Sequence, residues 1–166
     1  MGVTGSLGDS AAGLAAIMGE LEGYPGIREV HRRPEPQVEA GRLLRCAGVS
    51  SMNDISDGLS GELEELAEAS GQAMIIRREA VPLSEEVRRL AAELGKDPLI
   101  FALNGGEDYQ LVFTISPEKW TSLALPVPVS VIGHVEERGR PGVWMSGPDG
   151  EEAIHRGSYD HFRQSV

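Results

Sequence analysis

Glycine and proline divide the sequence into short segments, because they occupy 21 and 10 of its 166 positions. The segments are of two kinds. Residues 73–76 and 109–115 are rich in apolar and β-branched side chains, which predicts strands. Residues 38–47 and 59–70 carry apolar side chains at helical spacing, which predicts helices. Their irregular order predicts an α+β fold: a layered α/β domain with a mixed, largely antiparallel sheet flanked by helices.

The first helix is expected to begin at Asp9 or Ser10, since either side chain can cap a helix. Its large apolar residues recur at helical spacing and are expected to face the core: Leu14, Ile17, Met18 and Leu21. Gly23, Pro25 and Gly26 are expected to end this helix, and Pro34 and Pro36 to bracket an extended link. A later helix, capped by Ser84, is expected to turn a second apolar set inward: Val87, Leu90, Ala91 and Leu94. Residues 129–135 and 143–146 predict two further strands, the second followed by a hairpin turn at residues 148–150.

Length and composition predict one globular domain over residues 1–166. No apolar run approaches the roughly 18 residues of a membrane span, and the N-terminus lacks the pattern of a secretory signal. The one cysteine, Cys46, excludes an internal disulfide and fits the reducing cytoplasm. Because Cys46 falls in a predicted helix, we expect it to be a buried structural thiol.

The net charge of −11 argues against nucleic acid as a partner, since such proteins need a basic face. It also limits how the chain can bind a phosphate ligand. Its two lysines, Lys96 and Lys119, do not follow a glycine-rich loop, so the sequence has no Walker-type phosphate loop. A divalent metal held by carboxylates is the usual way for an acidic protein to bind an anion.

Residues 54–58, with the sequence Asp-Ile-Ser-Asp-Gly, lie at a predicted strand-to-helix turn. A tight turn can direct Asp54, Ser56 and Asp57 toward one ligand, and Mg²⁺ prefers such hard oxygen donors. Gly58 would allow close approach of a ligand to the backbone. The alternative is that Asp57 or Ser56 only caps the following helix, and the spacing taken alone favours this alternative.

Residues 105–109, with the sequence Gly-Gly-Glu-Asp-Tyr, stand immediately before a predicted strand. Two glycines followed by two carboxylates suggest hydrogen bonding to a ligand or a second metal position, with a solvated turn as the alternative. The glycine-rich residues 5–10 could cradle a phosphate, although such turns are common before helices. Near the C-terminus, Tyr159 could stack on a ring or pack the tail on the core.

Five segments taken in order resemble the C-terminal half of the thiamine-monophosphate kinases, members of the aminoimidazole ribonucleotide synthetase superfamily. They are residues 3–14, 33–38, 54–59, 105–109 and 159–162. The resemblance covers essentially the whole chain. It implies the layered α/β fold of that superfamily's C-terminal domain and a kinase that transfers the γ-phosphoryl group of ATP to thiamine monophosphate, giving thiamine diphosphate.

The resemblance also implies roles for individual residues. Asp54 and Asp57 resemble Mg²⁺ ligands, and Ser56 resembles a residue that contacts ATP. Glu107 is similar to a substrate contact. Tyr159 stands where the family often has a tryptophan near the thiamine moiety. Beside the aspartates, residues 51 and 53 are polar where the family is commonly more apolar.

The N-terminal half of the family, with most of its metal carboxylates and the usual homodimer interface, has no counterpart in this sequence. We therefore expect an isolated chain that is catalytically incomplete, with a partly apolar face where the N-terminal domain would pack. Two alternatives stay open: a non-catalytic, stand-alone ligand-binding module, or a related synthetase or maturation protein of the superfamily.

Overall fold

The computed structural model describes residues 1–148 and 150–157 of the chain. The strands in these residues are β1 (Gly2–Thr4), β2 (Ser51–Asp54), β3 (Ala73–Arg77), β4 (Leu111–Thr114), β5 (Val129–Val131), β6 (Gly133–Glu136), β7 (Gly142–Gly147) and β8 (Gly150–Ile154). The helices are α1 (Asp9–Met18), α2 (Pro25–Arg32), α3 (Val38–Ala47), α4 (Leu59–Ser70), α5 (Glu85–Glu93), α6 (Leu99–Asn104) and α7 (Pro117–Trp120). The predicted α+β class is confirmed.

The strands form two four-stranded sheets. The first has the order β2-β4-β1-β5 and is antiparallel throughout. The second has the order β6-β3-β7-β8 and is mixed, because β3 and β7 run parallel while its other pairs are antiparallel. The sheet arrangement is therefore mixed and largely antiparallel, as the sequence predicts, but it is divided between two layers.

The strand predicted over residues 129–135 is in fact two strands, one in each sheet. The buried Ile132 lies between them and its backbone bonds to both sides, donating to Met1 O and accepting from Arg77 N. The next residue is Gly133, and a larger residue would not fit there, because a Cβ would lie 1.9 Å from Ile75 O. Local β-propensity cannot show this change of sheet, since both halves of the segment are β-rich.

Helix α4 is central to the core. It contacts strands of both sheets and also α6. Its residues Leu59, Leu63 and Ala67 are fully buried, as the helical spacing predicts. Because α4 begins immediately after residues 54–58, this packing fixes the position of that turn.

The predicted inward face of α1 is wrong at two of its four residues. Leu14 and Met18 are 42% and 78% exposed, whereas the small residues of the helix are buried. The reason is α2, which lies so close that a Cβ on Gly13 would be 2.0 Å from Ile27 O. Pro25 is expected from the sequence to help end the first helix, but it occupies the first turn of α2, where proline is favoured.

Two smaller expectations are also wrong. Leu94 ends α5 and is 41% exposed, although the rest of its apolar set is buried. Cys46 is exposed because it lies on the side of α3 that faces away from the buried Ala40 and Leu44. Among residues 1–148 and 150–157, every helix is too short or too polar to cross a membrane.

Candidate functional site

The two motifs singled out from the sequence lie side by side. We call residues 54–58 the aspartate turn and residues 105–109 the glutamate segment. Asp54 ends β2 opposite Leu111 of β4, and the antiparallel pairing continues beyond the strands. Tyr109 N donates to Ile55 O at 3.0 Å, and Glu107 N donates to Ser56 O at 2.9 Å. Chain segments about fifty positions apart therefore form one continuous surface.

Glycine makes this close approach possible. A Cβ on Gly106 would lie 2.3 Å from Ser56 O, well inside van der Waals contact. Gly58 has φ +93°, and a Cβ there would lie 2.6 Å from Leu103 O. Each motif thus carries a glycine where the chain crosses a neighbouring backbone.

The polar side chains of the two motifs open to solvent. Asp54, Asp57 and Glu107 are exposed, and Ser56 is half-buried. Tyr109 donates its hydroxyl to Glu107 Oε2 at 2.8 Å. That bond is the main reason that the pKa of Tyr109 lies above its usual value, and the nearby Asp54 carboxylate adds to the shift. The backbone pairing of Asp54 with Leu111 and of Ile55 with Tyr109 brings Asp54 near the Glu107–Tyr109 pair.

Glu62, on the first turn of α4, holds the aspartate turn in place through hydrogen bonds on its buried side. This buried carboxylate accepts bonds from Asn53 Nδ2 at 2.5 Å and Asp57 N at 3.2 Å. Burial raises the pKa of Glu62 and the carboxylate of Glu65 adds to the rise, while the bonds from Asp57 and Ser56 oppose it. Asn53, a polar departure from the family pattern, is thus a structural partner of Glu62.

The helix-cap alternative for the aspartate turn does not describe the structure. The residue at the N-cap of α4 is Gly58, which has no side chain to cap the helix. The hydroxyl of Ser56 donates to Glu62, and the carboxylate of Asp57 accepts from Arg156. The carboxylate of Asp57 and the hydroxyl of Ser56 are therefore not used as helix caps.

Asp108 takes a different role from the one its position beside Glu107 suggests. It is only 3% exposed, and its oxygens accept from Gly8 N at 2.6 Å and Ser10 N at 3.0 Å. It caps α1 from a hundred residues away, because the N-cap residue Gly8 has no side chain. A second metal position cannot include Asp108, whose oxygens face inward. The N–H groups of Gly8 and Ser10 already have this carboxylate as their acceptor.

The backbone on both sides of Asp108 has an unusual conformation. Glu107 and Tyr109 have φ of +66° and +51°, in the left-handed region. This conformation costs a residue with a side chain about 1–2 kcal/mol. This alternation turns Asp108 into the protein and leaves Glu107 and Tyr109 at the surface. The two bonds of Asp108 offset the strain.

Asp108 also has an altered acidity. Burial raises its pKa to about 7, the bonds from Gly8 and Ser10 oppose the rise, and the carboxylate of Asp9 adds to it. Asp9 is itself held by the hydroxyls of Ser6 and Ser84. A buried polar network therefore joins the start of α1, the start of α5 and the glutamate segment.

The end of the described chain returns to the aspartate turn. Arg156 forms an ion pair with Asp57, and its Nη1 lies 3.8 Å from Glu65 Oε1. His155 Nδ1 is 3.2 Å from Glu64 Oε1. Arg156 carries no local sequence signal and was missed. Tyr159, the sequence-predicted residue of this region, lies outside the described residues.

The donor set at the site matches part of a magnesium site. Asp54, Asp57 and Ser56 offer two carboxylates and a hydroxyl, which are the oxygen donors that Mg²⁺ prefers together with water and phosphate. No group of three or more His, Cys, Asp or Glu side chains within residues 1–148 and 150–157 is arranged to hold a metal ion.

Comparison with known families identifies the fold. Residues 3–146 match the family described as AIR synthase related protein, C-terminal domain. The chain belongs to this family. Its resemblance to thiamine-monophosphate kinases is confirmed by the curated relatives, among them the enzyme of Bacillus subtilis, 34% identical over 97% of this chain and 52% of that protein. The AIR synthase related chain thus spans about half the length of the curated relatives it matches.

Solved structures agree. AaThiL complexed with AMPPCP and TMP has a TM-score of 0.77 at 37% identity, over 88% of this chain and 47% of that one. Escherichia coli HypE has a TM-score of 0.71 at 23% identity, over 98% of this chain and 51% of that one. The second likeness is one of fold alone.

Replacing Gly106 tests the close contact of the two motifs. We expect Gly106→Ala to lower the free energy of unfolding by about 1–3 kcal/mol, because its Cβ would displace the backbone of Ser56. Gly23→Ala is the matched control, since a Cβ at Gly23 meets no atom within 4 Å, and it should change stability by under about 0.5 kcal/mol. Urea unfolding measures both. Equal stability of the two variants would contradict the contact.

The pKa of Asp108 predicts a pH dependence of stability. Because this pKa is raised, the folded chain holds a proton that the unfolded chain releases, so stability falls as the pH rises from about 4 to about 7. Between pH 5 and pH 8, wild type should lose ~3 kcal/mol relative to Asp108→Asn, which has no carboxyl proton to release. Urea titrations at the two pH values measure this difference. Parallel pH profiles with equal m-values would refute the prediction.

Proposed function

We propose that this chain is the C-terminal domain of an ATP- and Mg²⁺-dependent kinase that phosphorylates thiamine monophosphate to thiamine diphosphate. The observation that carries the proposal is the meeting of the aspartate turn and the glutamate segment in one solvent-facing surface. The family resemblance supports the substrate, as does the solved AaThiL complex with TMP and AMPPCP, an analogue of ATP.

The proposed division of labour follows the chemistry of each side chain. Asp54 and Asp57 would hold Mg²⁺, and the hydroxyl of Ser56 would contact ATP. A bound Mg²⁺ would neutralise phosphate charge, which suits a chain whose own net charge is −11. Because phosphoryl transfer needs little covalent help from the protein, the main task of these residues is to position the two substrates.

Glu107 is the proposed substrate contact, and Tyr109 holds its carboxylate in place through a hydrogen bond. Tyr159 is proposed to lie near the thiamine ring.

The proposed partner of this domain is an N-terminal domain, which would supply the remaining metal donors and form the homodimer of a full-length enzyme. The exposed Leu14 and Met18 lie one turn apart on α1 and would be covered by such a domain in this proposal. An exposed free thiol at Cys46 fits a protein of the reducing cytoplasm.

The alternatives have weaker support. A maturation protein of the same superfamily is represented by HypE, whose likeness is limited to the fold. A stand-alone binding module would not require the exposed carboxylates and hydroxyl of the aspartate turn to remain available together. The kinase proposal accounts for them as one phosphate-and-metal surface.

Turnover measurements on two proteins test the proposal. The 166-residue chain alone should form no thiamine diphosphate from ATP and thiamine monophosphate, because its donor set is partial. A chimera in which it replaces the C-terminal half of the Bacillus subtilis enzyme should form it, as measured by chromatography of the products. Rapid turnover by the isolated chain, or a folded chimera without activity, would contradict the proposal.

Substitutions in the active chimera test the residue roles. We expect Asp57→Asn to lower kcat/KM roughly 100-fold or more, since it removes a metal ligand. Glu68→Gln is the control, because it removes another exposed carboxylate from the same region, on α4. Similar activity of the two variants would exclude Asp57 from the metal site.

A further inference from the structure

Arg156 is a basic residue that lies between acidic side chains. Its guanidinium pairs with Asp57 and lies near Glu65. Among the ion pairs within residues 1–148 and 150–157, the pair of Arg156 with Asp57 is the one that joins a Lys or Arg side chain to the aspartate turn or the glutamate segment. The preceding strand β8 ends at the buried Ile154, so the fold delivers Arg156 to this position.

Arg156 and a metal ion compete for the same carboxylate. Asp57 is the proposed Mg²⁺ ligand, yet in this structure it is paired with the guanidinium. Both groups are about half exposed, at 51% and 59%, and exposed ion pairs are weak enough to exchange. When a divalent cation takes Asp57, repulsion between the two positive charges drives the guanidinium away from that carboxylate.

We propose that Arg156 is a phosphate-binding residue that pairs with Asp57 in the ligand-free protein and moves to a phosphate group when a metal ion occupies Asp57. The inference rests on the proposed function, since it takes the metal at Asp57 from there. A guanidinium presents a planar fork of donors that matches phosphate oxygens, and its charge is permanent.

The Arg156 side chain is about half exposed, so its charged end borders solvent. Its stem lies against the first turn of α4, where its Nε is 3.4 Å from the position of a Cβ on Gly61. Its long stem lets the charged end shift while the backbone stays attached to β8. One rotation of the side chain would thus both release Asp57 and bring the guanidinium to the phosphate.

The inference predicts effects of opposite sign on two ligands. With Mn²⁺ alone, Arg156→Gln should bind about two- to five-fold more tightly than wild type, because the competing cation is gone. With inorganic triphosphate and Mg²⁺, the same variant should bind about ten-fold more weakly, because the fork is gone. Arg156→Lys keeps the charge without the fork and should fall between wild type and Arg156→Gln for triphosphate.

Calorimetry on the 166-residue chain measures both ligands, and urea unfolding checks that each variant is folded. Arg45→Gln is the charge-matched control. Arg45 is exposed near the end of α3, which leads into the opposite end of β2 from Asp54. A non-specific charge effect would change the binding of both ligands equally in the Arg45 and Arg156 variants and would overturn the inference.

The remaining outcomes separate the inference from the proposed function. If Arg156 only clamps the end of the chain to α4, its loss lowers stability and leaves the two affinities unchanged or shifts them in the same direction, which refutes the inference. Absence of triphosphate binding by the wild-type chain also refutes it. If triphosphate binds as predicted while thiamine monophosphate fails to bind the chimera, the proposed substrate is wrong and the role of Arg156 stands. Titration of the chimera with AMPPCP and with thiamine monophosphate then shows which phosphate Arg156 contacts.

Discussion

The hydrogen bonds of Asp108 hold the candidate site in its shape. This buried carboxylate joins the N-terminus of α1 to the glutamate segment, and two neighbours with positive φ turn outward on either side of it. Glu107 and Tyr109 reach the surface because Asp108 is held inside. The aspartate turn is then aligned by backbone bonds to the same segment and by Glu62 beneath it. The buried carboxylates of Asp108 and Glu62 thus position the exposed carboxylates of the two motifs.

An acidic chain that binds phosphate needs positive charge from outside or from a well-placed side chain. The exposed Asp54 and Asp57 suit the first solution, in which a divalent ion bridges protein and phosphate. Arg156 suits the second, and in this structure it pairs with Asp57. In the proposed scheme the two solutions are complementary, because a bound ion would displace the guanidinium and would bring a phosphate to receive it.

The sequence predicts local features well and long-range ones poorly. The bounds of α3 and the buried face of α4 follow from helical spacing. The buried face of α1 does not, because small residues under α2 decide it. The motifs at residues 54–58 and 105–109 could be found by spacing and resemblance. The roles of Asp108 and Arg156 could not, since their partners lie about a hundred positions away.

The central claim is that the aspartate turn and the glutamate segment form one ligand surface. Nuclear magnetic resonance of the ¹⁵N-labelled chain tests it most directly, with Mg²⁺ and AMPPCP added together. The account predicts that amide signals of residues 54–58 and 105–109 shift together, with one midpoint, while those of α5 stay in place. Shifts confined to one of the two segments, or centred on another surface, would contradict it.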